Sequence, residues 1–312
     1  MHKIRIALLA GGWSGERDIS LRSAEAVYNA LDKGKYTVNM YDPQNNLNGL
    51  MELRDKVDLV FSLLHGKHGE DGCIQGLLDM LGIGFIGSGI LSSAMAFNKK
   101  IAKDIYRTKG LMVAKDIILN HGEEIHPERL VQILGLPAVV KPVAEGSSLG
   151  ISVCQNMEDL VAGIQKAFEF DHEVMVEEFI AGLEITCCVL GNRVLETFPV
   201  IEIVPGDHYC FFDYEAKYKT GATQEICPAR LSPSITEKAQ MCSKEAHEAL
   251  KCSVWSRSDM IIKDKDIYLL ETNTIPGMTQ NSLFPLAAQT AGISFPRLLD
   301  KLIDLSLAKS GV

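Results

Sequence analysis

Two acidic residues near the C-terminus stand on the two arms of a predicted β-hairpin. Asp259 precedes a polar turn within one apolar run, and Glu271 follows the turn in the next apolar run. A hairpin centred near residue 265 places Asp259 opposite Glu271 and Arg257 opposite Asn273, and residues two apart on a strand share a face. Like charges that face each other across two strands destabilise the pair. Either one carboxyl group is therefore protonated or a cation lies between them.

The side chains of Asp259, Glu271 and Asn273 offer oxygen ligands, which suit Mg²⁺ or Mn²⁺ better than Zn²⁺. Protein Mg²⁺ sites usually combine one or two carboxylates with the phosphates of a substrate. The spacing therefore predicts a metal site beside a phosphorylated ligand, and a solvent-exposed hairpin with scattered charges is the alternative. The turn 276–277 follows directly and either presents backbone N–H groups to an anion or is a plain turn.

A lysine at the end of an apolar strand opens a loop rich in glycine and serine. Lys141 follows the apolar residues 137–140, and the loop 142–150 leads to the next strand. Such a loop can fold over a triphosphate with its N–H groups and hydroxyls as donors, or it is a hairpin turn beside a snorkelling lysine. Lys99 is a second candidate cation for phosphates. Glu177, within an apolar strand, suits hydrogen bonding to adenine and ribose, or marks an edge strand.

Further glycine-rich turns follow the first and third predicted strands. Residues 11–12 lie beyond the first strand, where α/β folds place ligand sites. The segment 87–89 has no third glycine and no acid about 20 residues on, which excludes a dinucleotide fingerprint, and no P-loop motif occurs. His65 and His68 favour a turn that lines the same cleft over a metal site.

These residues depend on strands and helices that alternate over the first 90 residues. Such alternation predicts an α/β fold with a parallel, doubly wound sheet. The elements expected there are the strands 3–10, 36–41, 58–64 and 84–86 and the helices 20–32 and 72–81. The elements expected after them are the helices 91–108, 126–134, 157–169, 234–250 and 295–308, the strands 138–142, 151–154, 173–178, 184–190 and 194–204, and a hairpin over 254–272.

The segment 205–223 is a long predicted loop in which aromatic residues alternate with charged ones. Loops of this length are usually functional or disordered, so we expect an active-site lid, with an ordinary packed excursion as the alternative.

Composition excludes several classes of protein. With 312 residues, 46% hydrophobic and 23% charged, the chain is typical of a soluble globular protein of two or three domains. A net charge of −9 weighs against a nucleic-acid binder, and no apolar run is long enough to span a membrane. The eight cysteines form no C-x-x-C pair, so we expect free thiols in a reducing cytoplasm rather than disulfides or a zinc site.

Taken together and in order, these motifs resemble the D-alanine–D-alanine ligase family of ATP-grasp enzymes over nearly the whole chain. The matching segments are Gly11-Gly12…Ser14…Glu16-Arg17, His65-Gly66…Gly69-Glu70-Asp71-Gly72, Lys141-Pro142…Glu145-Gly146-Ser147-Ser148…Gly150, Asp213-Tyr214…Lys217-Tyr218, Arg257…Asp259, and Glu271…Asn273-Thr274…Pro276-Gly277-Met278-Thr279…Ser282. The resemblance implies an α/β, three-domain ATP-grasp fold with an N-terminal doubly wound parallel-sheet domain. The implied limits are 1–90 for the substrate-binding domain, 91–182 for the central ATP-grasp subdomain, and 183–312 for the C-terminal subdomain with the active-site loop 205–223 and the Mg²⁺ site.

The resemblance also implies a reaction. ATP, with two Mg²⁺ or Mn²⁺, phosphorylates the carboxylate of one D-alanine, and the amine of a second D-alanine attacks the acyl phosphate. The product, D-alanyl-D-alanine, serves peptidoglycan precursor synthesis. The implied protein is a cytoplasmic homodimer that binds neither nucleic acid nor membrane. A D-alanine–D-serine or D-lactate ligase and a catalytically silent nucleotide-binding regulator remain as alternatives.

By position, the resemblance implies roles for residues around the first D-alanine and the reacting carbonyl. Glu16 holds the ammonium group, and His65 lies near the same substrate. Arg257 and the N–H of Gly277 stabilise the oxyanion, and Ser282 binds the carboxylate of the second D-alanine.

The resemblance implies three further groups of residues. A hydrogen-bonded network that closes the lid consists of Glu16, Ser147 and Tyr218. The nucleotide-binding residues are Lys99, Lys141 and Lys217 on the phosphates, Glu177, Glu178, Phe179 and Ile180 around adenine, and Glu184 on the ribose. The metal ligands are Asp259, Glu271 and Asn273. Because Tyr218 completes its network, we expect D-alanine rather than D-lactate as the acceptor.

Five residues depart from the family pattern: Asn98, Phe212, Val254, Ser256 and Ser258. Asn98 stands where an aspartate usually precedes the lysine, so it bears on the orientation of Lys99. We expect Ser256 and Ser258, which flank Arg257, either to weaken packing or to relax the acceptor pocket towards D-serine.

Overall fold

The structure is a computed structural model that describes residues 3–146, 148–206 and 223–310. Its first sheet is parallel and has the order β2-β1-β3, with a further parallel bridge between Val60 and Phe85. The strands of this sheet are β1 (Ile4–Leu9), β2 (Tyr36–Tyr41) and β3 (Leu59–Ser62), and its helices are α1 (Arg17–Ala30), α2 (Leu47–Met51) and α3 (Cys73–Met80). The apolar residues of β1 and β3 are buried almost throughout, as a sheet covered on both faces requires.

The turn between β1 and α1 requires glycine. Gly11 and Gly12 have φ values of +86° and +77°, in the left-handed region that glycine adopts without strain. A Cβ atom on Gly11 would lie 2.7 Å from the Arg17 side chain. The chain can therefore turn sharply and start α1 beside the end of the sheet.

The second sheet is antiparallel, with the order β4-β7-β5-β6. Its strands are β4 (Asp116–Asn120), β5 (Ala138–Pro142), β6 (Ser152–Cys154) and β7 (Glu173–Glu178). The helices α6 (Pro127–Leu134) and α7 (Met157–Phe168) cover one face, where Leu130, Leu160 and Ile164 pack with Val140 and Val176. The opposite face is left for the residues of the candidate site.

The third sheet is also antiparallel, with the order β11-β10-β8-β12-β13, and β9 pairs with β8. Its strands are β8 (Leu183–Gly191), β9 (Leu195–Thr197), β10 (Ile201–Pro205), β11 (Thr223–Ile226), β12 (Val254–Lys263) and β13 (Asp266–Asn273). The helix α8 (Pro233–Ala249) packs on this sheet. Strand β12 is an internal strand, because it pairs with β8 on one side and with β13 on the other.

Four helices connect the three sheets. The helices α4 (Ile90–Phe97) and α5 (Lys99–Thr108) precede the second sheet but bury Ala102 and Tyr106 with Met260 and Leu269 of the third. The helices α9 (Leu283–Thr290) and α10 (Phe295–Ser310) follow the third sheet and pack in one core with the first. The chain therefore crosses between the units at both ends, which holds the sheets around a common centre.

The predicted fold class is confirmed, and several expected elements differ in detail. The expected helix 91–108 is two helices, because Asn98 leaves helical geometry and its side-chain oxygen accepts a hydrogen bond from the N–H of Ile101. The expected strand 194–204 is divided into β9 and β10, and 84–86 contributes only a bridge. Elements missed from the sequence are α2, β4, β11 and α9.

The cysteines of the described ranges are free thiols, as expected. No helix in those ranges is long and apolar enough to cross a membrane. The limits at residues 90 and 182 stay predictions.

Candidate active site

Two cavities meet at the centre of the three sheets. The first has a volume of about 300 Å³ and the second about 140 Å³. They share four wall residues, Lys99, Glu145, Gly146 and Glu271. The predicted site residues on the first cavity are Glu16, His65, Arg257, Asn273, Gly277 and Ser282. Those on the second are Lys141, Glu177, Glu178, Phe179, Ile180, Glu184 and Asp259. A ligand in one cavity can thus reach a ligand in the other past Lys99 and Glu271.

The hairpin register agrees with the sequence prediction. Asp259 lies opposite Glu271, and Arg257 lies opposite Asn273. The turn closes at Lys263, however, which pairs with Asp266 rather than with residue 267. The two halves of the hairpin are therefore out of step by one residue.

A β-bulge accounts for this difference. Met260 pairs with Leu269 while Asp259 pairs with Glu271, so Leu270 is the extra residue of β13. Strict alternation from the buried Leu269 would have turned Glu271 towards the core. The bulge instead lets Leu270 and Glu271, although consecutive, both line the second cavity.

Asp259 is held by four donors. Its Oδ1 atom accepts hydrogen bonds from Arg257 Nε at 2.9 Å and from Thr186 Oγ1 at 2.6 Å. Its Oδ2 atom accepts from Arg257 Nη2 at 2.7 Å and from Asn273 Nδ2 at 3.2 Å. Burial lowers the pKa of Arg257, but the charge of Asp259 outweighs this effect and leaves the pKa raised. The cation expected beside the acids is thus, on the Asp259 side, a guanidinium group.

Glu271 has a different environment. No hydrogen bond or ion pair to its carboxylate is found within residues 3–146, 148–206 and 223–310. Asn273 uses its amide nitrogen on Asp259, which leaves its carbonyl oxygen as a ligand. A carboxylate without a partner among the described residues, a second carboxylate and an amide oxygen lie on one hairpin face. They form an oxygen-donor set that fits Mg²⁺ or Mn²⁺.

Glu16 lies where loops from different sheets come together. Its side chain is buried at the start of α1. A Cβ atom on Gly146 would lie 2.6 Å from Glu16 Oε2, and one on Gly66 would lie 3.0 Å from the same atom. Glycine at both positions therefore allows the two loops to contact the carboxylate.

His65 is buried in the wall of the first cavity. Burial lowers the pKa of its imidazole, Glu16 raises it, and Arg257 lowers it. Its Nε2 atom has no hydrogen-bond partner within the described chain. A neutral imidazole with an open ring nitrogen can therefore face a substrate in this cavity.

Glu70 is a site residue that sequence reasoning quoted only as part of a motif. It lines the first cavity, and its Oε2 atom accepts a hydrogen bond from the N–H of Gly66 at 2.8 Å. Burial and the charge of Glu16 raise its pKa to about 8. Its carboxyl group is therefore largely protonated at neutral pH, and the signal in the sequence was the placement of Glu70 five residues after His65.

The lysines form a buried ion network at the second cavity. Lys141 Nζ lies 2.5 Å from Glu177 Oε2, and Lys103, also buried, is paired with Glu177 and lies 2.8 Å from Asp116 Oδ1. Burial raises the pKa of Glu177, and the charges of Lys141 and Lys103 outweigh it, leaving the pKa lowered. Glu177 thus orients Lys141, and the edge-strand alternative is wrong because β7 lies between β4 and β5.

Lys99 is buried between the two cavities. Its Nζ atom donates a hydrogen bond to the backbone oxygen of Glu145 at 2.5 Å. Asn98 caps α5 and keeps Lys99 at the start of that helix, facing the site. The departure at Asn98 therefore leaves this lysine in place.

The rest of the second cavity has the apolar character that suits a nucleobase. Its apolar wall residues are Ala114, Val139, Pro142, Leu149, Ile151, Val153, Phe179, Ile180, Ile261 and Leu270. Glu178 turns its carboxylate to the N–H of Lys115, at 2.8 Å. Glu184 stands on β8, opposite Ile203 and Ile261.

The segment after β13 forms a turn at the end of the first cavity. The Oγ atom of Ser282 accepts a hydrogen bond from the N–H of Thr279 at 3.0 Å and lies 2.8 Å from Thr279 Oγ1. A Cβ atom on Gly277 would lie 3.0 Å from Ser282 Oγ. Gly277 and Ser282 are thus neighbours in space at the end of the first cavity.

Four of the singled-out residues lie outside the described ranges: Ser147, Phe212, Lys217 and Tyr218. Most of the expected lid, 205–223, lies outside them too, so the lid and the Tyr218 network stay predictions.

Ser256 and Ser258 do not face the cavities. Ser256 Oγ lies 2.8 Å from His247 Nδ1, and Ser258 Oγ lies 3.0 Å from Thr272 Oγ1; both serines are fully buried. They point to the opposite face of β12 from Arg257. The expected contact of these serines with the acceptor pocket is therefore not found, since neither hydroxyl lines a described cavity.

Comparison with known proteins agrees with this geometry. The family model "D-ala D-ala ligase C-terminus" matches residues 105–304, and "D-ala D-ala ligase N-terminus" matches residues 42–88. The chain is 51% identical to a D-alanine–D-alanine ligase of Syntrophobacter fumaroxidans, over 98% of both chains. It is also 51% identical to one of Desulfotalea psychrophila, over 99% of this chain and 96% of that protein.

Solved structures give the same result. A D-alanine–D-alanine ligase from Bacillus anthracis complexed with ATP superposes with a TM-score of 0.87 at 35% identity, over 99% of both chains. The VanG D-Ala:D-Ser ligase from Enterococcus faecalis gives 0.85 at 33% identity, over 98% of this chain and 100% of that chain. The chain therefore belongs to the D-alanine–D-alanine ligase family.

Proposed function

We propose that this protein uses ATP to join two molecules of D-alanine into D-alanyl-D-alanine, with release of ADP and phosphate. The observation that carries this proposal is the junction of the two cavities at Lys99 and Glu271. One cavity is polar and charged, as an amino acid requires, and the other has an apolar wall for a nucleobase. The junction is where a phosphoryl group would pass from one ligand to the other.

The chemistry has two steps. A carboxylate oxygen of the first D-alanine attacks the γ-phosphorus of ATP, and the bond to the ADP oxygen breaks. The amine nitrogen of the second D-alanine then attacks the acyl carbon, phosphate leaves, and the ammonium so formed loses a proton to give the amide. Both steps concentrate negative charge at the junction, where Lys99, Lys141 and Arg257 can stabilise it.

We assign the substrate residues as follows. Glu16 binds the ammonium group of the first D-alanine, with His65 beside it in the same cavity wall. Arg257 and the N–H of Gly277 stabilise the oxyanion, and Ser282 binds the second carboxylate. The adjacency of Gly277 and Ser282 supports this assignment.

We assign the nucleotide phosphates to Lys99 and Lys141, with Lys217 as a third lysine. The residues assigned to adenine and ribose are Glu177, Glu178, Phe179, Ile180 and Glu184. The carboxylate of Glu177 is engaged with lysines, so its part in adenine binding falls to the backbone.

Asp259, Glu271 and Asn273 would hold two Mg²⁺ or Mn²⁺. When bound, these ions neutralise the phosphate charge and align the γ-phosphoryl group. The chain's own part is to release Asp259 from Arg257, because the two hydrogen bonds between them occupy the carboxylate. Arg257 is then free to turn to the substrate.

We further propose that the protein works in the cytoplasm, in peptidoglycan precursor synthesis, as a homodimer that binds neither nucleic acid nor membrane. The free thiols support a reducing compartment, and the acidic composition opposes nucleic-acid binding. We also retain the domain limits 1–90, 91–182 and 183–312, each of which contains one of the three sheets.

A D-alanine–D-serine ligase is the second candidate, because VanG, a D-Ala:D-Ser ligase, is among the similar structures. The inward-facing hydroxyls of Ser256 and Ser258 remove one argument for D-serine. A silent nucleotide-binding regulator would not need Lys141, Arg257 and the acidic hairpin face together.

The test is ADP release with D-alanine, D-serine and D-lactate at equal concentration and pH 7, with the products weighed by mass spectrometry. We expect mainly D-alanyl-D-alanine. Mainly D-alanyl-D-serine would leave the chemistry and overturn the acceptor assignment, and a depsipeptide would overturn the Tyr218 argument. ATP binding without ADP release would establish the regulator instead.

A further inference from the structure

Three buried hydroxyl groups form a hydrogen-bonded network, here called the hydroxyl network, behind the acidic face of the hairpin. Tyr106 donates a hydrogen bond from its phenol to Thr272 Oγ1 at 2.8 Å. Thr272 Oγ1 lies 3.0 Å from Ser258 Oγ. Tyr106 and Ser258 are fully buried, and Thr272 is 3% exposed. The hydroxyl network is therefore almost fully shielded from solvent, with Thr272 at the edge of the first cavity, and each hydroxyl depends on the others for a partner.

The position of these hydroxyls relates them to the candidate metal ligands. Ser258 stands directly before Asp259 on β12, and Thr272 stands between Glu271 and Asn273 on β13. Ser258 and Thr272 are also direct partners in the β12–β13 register. Their hydrogen bond thus joins the two strands immediately behind the acids.

Because of the bulge, the hydrogen bond between Ser258 and Thr272 matters for the register of the two strands. Strand β13 carries one extra residue, Leu270, next to Glu271, so the backbone pairing alone allows a slip at this point. A slip by one residue would bring Thr272 away from Ser258 and leave two buried hydroxyls without a partner. Unpaired buried polar groups are costly, so the pair selects the register that puts Glu271 and Asn273 in the site.

Tyr106 extends the hydroxyl network from the two strands to a helix. It belongs to α5, the helix that begins with Lys99, and Lys99 lines both cavities. The phenol therefore connects the helix that presents the lysine to the strand that presents the acids. This connection fixes the distance between Lys99 and the hairpin acids, which both act on the transferred phosphoryl group in the proposed reaction.

We propose that Tyr106, Thr272 and Ser258 are positioning residues that hold the metal-binding acids and Lys99 in one arrangement. This inference rests on the proposed ligase function. Groups that orient metal ligands typically change metal affinity or activity by about 10- to 100-fold when they are removed.

The test compares Tyr106→Phe and Thr272→Val, which remove hydroxyls and keep the shape, with Thr272→Ser, which keeps the hydroxyl. The measurements are kcat, the KM for D-alanine, and the Kd for Mn²⁺ in the presence of a non-hydrolysable ATP analogue, read by electron paramagnetic resonance. We expect Tyr106→Phe and Thr272→Val to lower kcat about tenfold and raise the Mn²⁺ Kd about tenfold. The KM for D-alanine should stay within about twofold, because the residues assigned to the first substrate, Glu16 and His65, form no hydrogen bond with the three hydroxyl groups in the described ranges, although Thr272 also lines the first cavity. Thr272→Ser should resemble the wild type.

The matched control is Ser243→Ala. Ser243 is fully buried, and its Oγ atom donates to the backbone oxygen of Ala239 in its own helix at 3.1 Å. It also contacts Met260 of β12, at 3.9 Å, but has no bond to β13. Its loss should lower thermal stability slightly and leave kcat and the Mn²⁺ Kd unchanged.

Two outcomes overturn the inference. One is a loss of thermal stability in Tyr106→Phe and Thr272→Val with kcat and Mn²⁺ affinity within about twofold of wild type. The other is an equal loss of activity in Thr272→Ser. Failure of the proposed function is distinct from both, because then the wild-type protein itself would form no dipeptide.

Discussion

Arg257 and Asp259 are joined by two parallel hydrogen bonds, 2.9 Å and 2.7 Å long, on one face of the internal strand β12. Each of them is assigned to a different ligand in the proposed reaction, Arg257 to the substrate oxyanion and Asp259 to a metal ion. In the reaction we propose, binding of either ligand breaks the pair and releases the partner for the other. We expect metal-nucleotide and D-alanine to strengthen each other's binding.

Replacement of the acids should abolish most of the activity. Asp259→Asn and Glu271→Gln each remove a charge that holds the cations beside the transferred phosphoryl group, so kcat should fall by roughly a hundredfold or more. The measurement is steady-state turnover at saturating Mg²⁺, with circular dichroism as the check on folding. Near-wild-type kcat in both variants would remove the metal assignment.

Removal of a lysine from the buried ion network should lower the free energy of unfolding more than removal of an exposed lysine. Lys103→Met leaves Asp116 and Glu177 with less compensation in the interior, so the free energy of unfolding should fall by about 3–5 kcal/mol. Lys100→Met is the matched control, because that lysine is 43% exposed and 3.4 Å from Glu173; its loss should cost less than about 1 kcal/mol. Urea unfolding measures both. Equal losses in the two variants would contradict the role of the network.

Glu70 should make the free protein less stable as the pH rises. Its pKa is raised from 4.5 to about 8, so the folded state binds more protons than the unfolded state between these values. Stability from this group is present below pH 4.5 and is lost as the pH rises towards 8. Without metal or nucleotide, Glu70→Gln should flatten that part of the stability profile. A profile of unchanged slope would show that another group is responsible.

His247 should make the protein less stable as the pH falls. Burial lowers its pKa from 6.5 to about 4, so between these values the unfolded state binds the extra proton. The unfolding free energy should therefore fall by about 3 kcal/mol as the pH drops from 6.5 to 4. In His247→Gln this loss should disappear, and thermal unfolding across that range measures it. An acid transition of the same size in the variant would assign it to carboxylates instead.

The hairpin shows which features of the site can be predicted from the sequence and which cannot. Its polar turn and two apolar arms predicted the facing of Asp259 and Glu271, and that register is confirmed. The bulge at Leu270 was not predictable, because a bulge responds to what each face packs against rather than to local composition. The predicted pairing of the acids came from a turn centred near residue 265, and it holds although the turn closes one residue earlier, because the bulge restores the register at Asp259 and Glu271.

Lys103 makes buried contacts that the sequence does not predict. It reads as one more charge on an amphipathic helix, yet it is 1% exposed and contacts acids from two strands of the second sheet. Periodicity gives the face of a helix but not the partner that packs there. Ser256 and Ser258 are a different case, because they alternate with Arg257 and Asp259 along β12 and strand alternation alone places them on the opposite face.

The bulge also decides which changes of chain length the hairpin can tolerate. Strand β12 is fixed on its other side by β8 from Val254 to Ile262, so only β13 can move when residues are added or removed. Extra residues in the turn at 264–265 would lengthen a solvent-exposed loop and leave the acids in place. One extra residue between Leu270 and Thr272 would exchange the faces, burying the acid and exposing the threonine. Insertions and deletions should therefore accumulate at the tip of this hairpin and be absent from its last four residues.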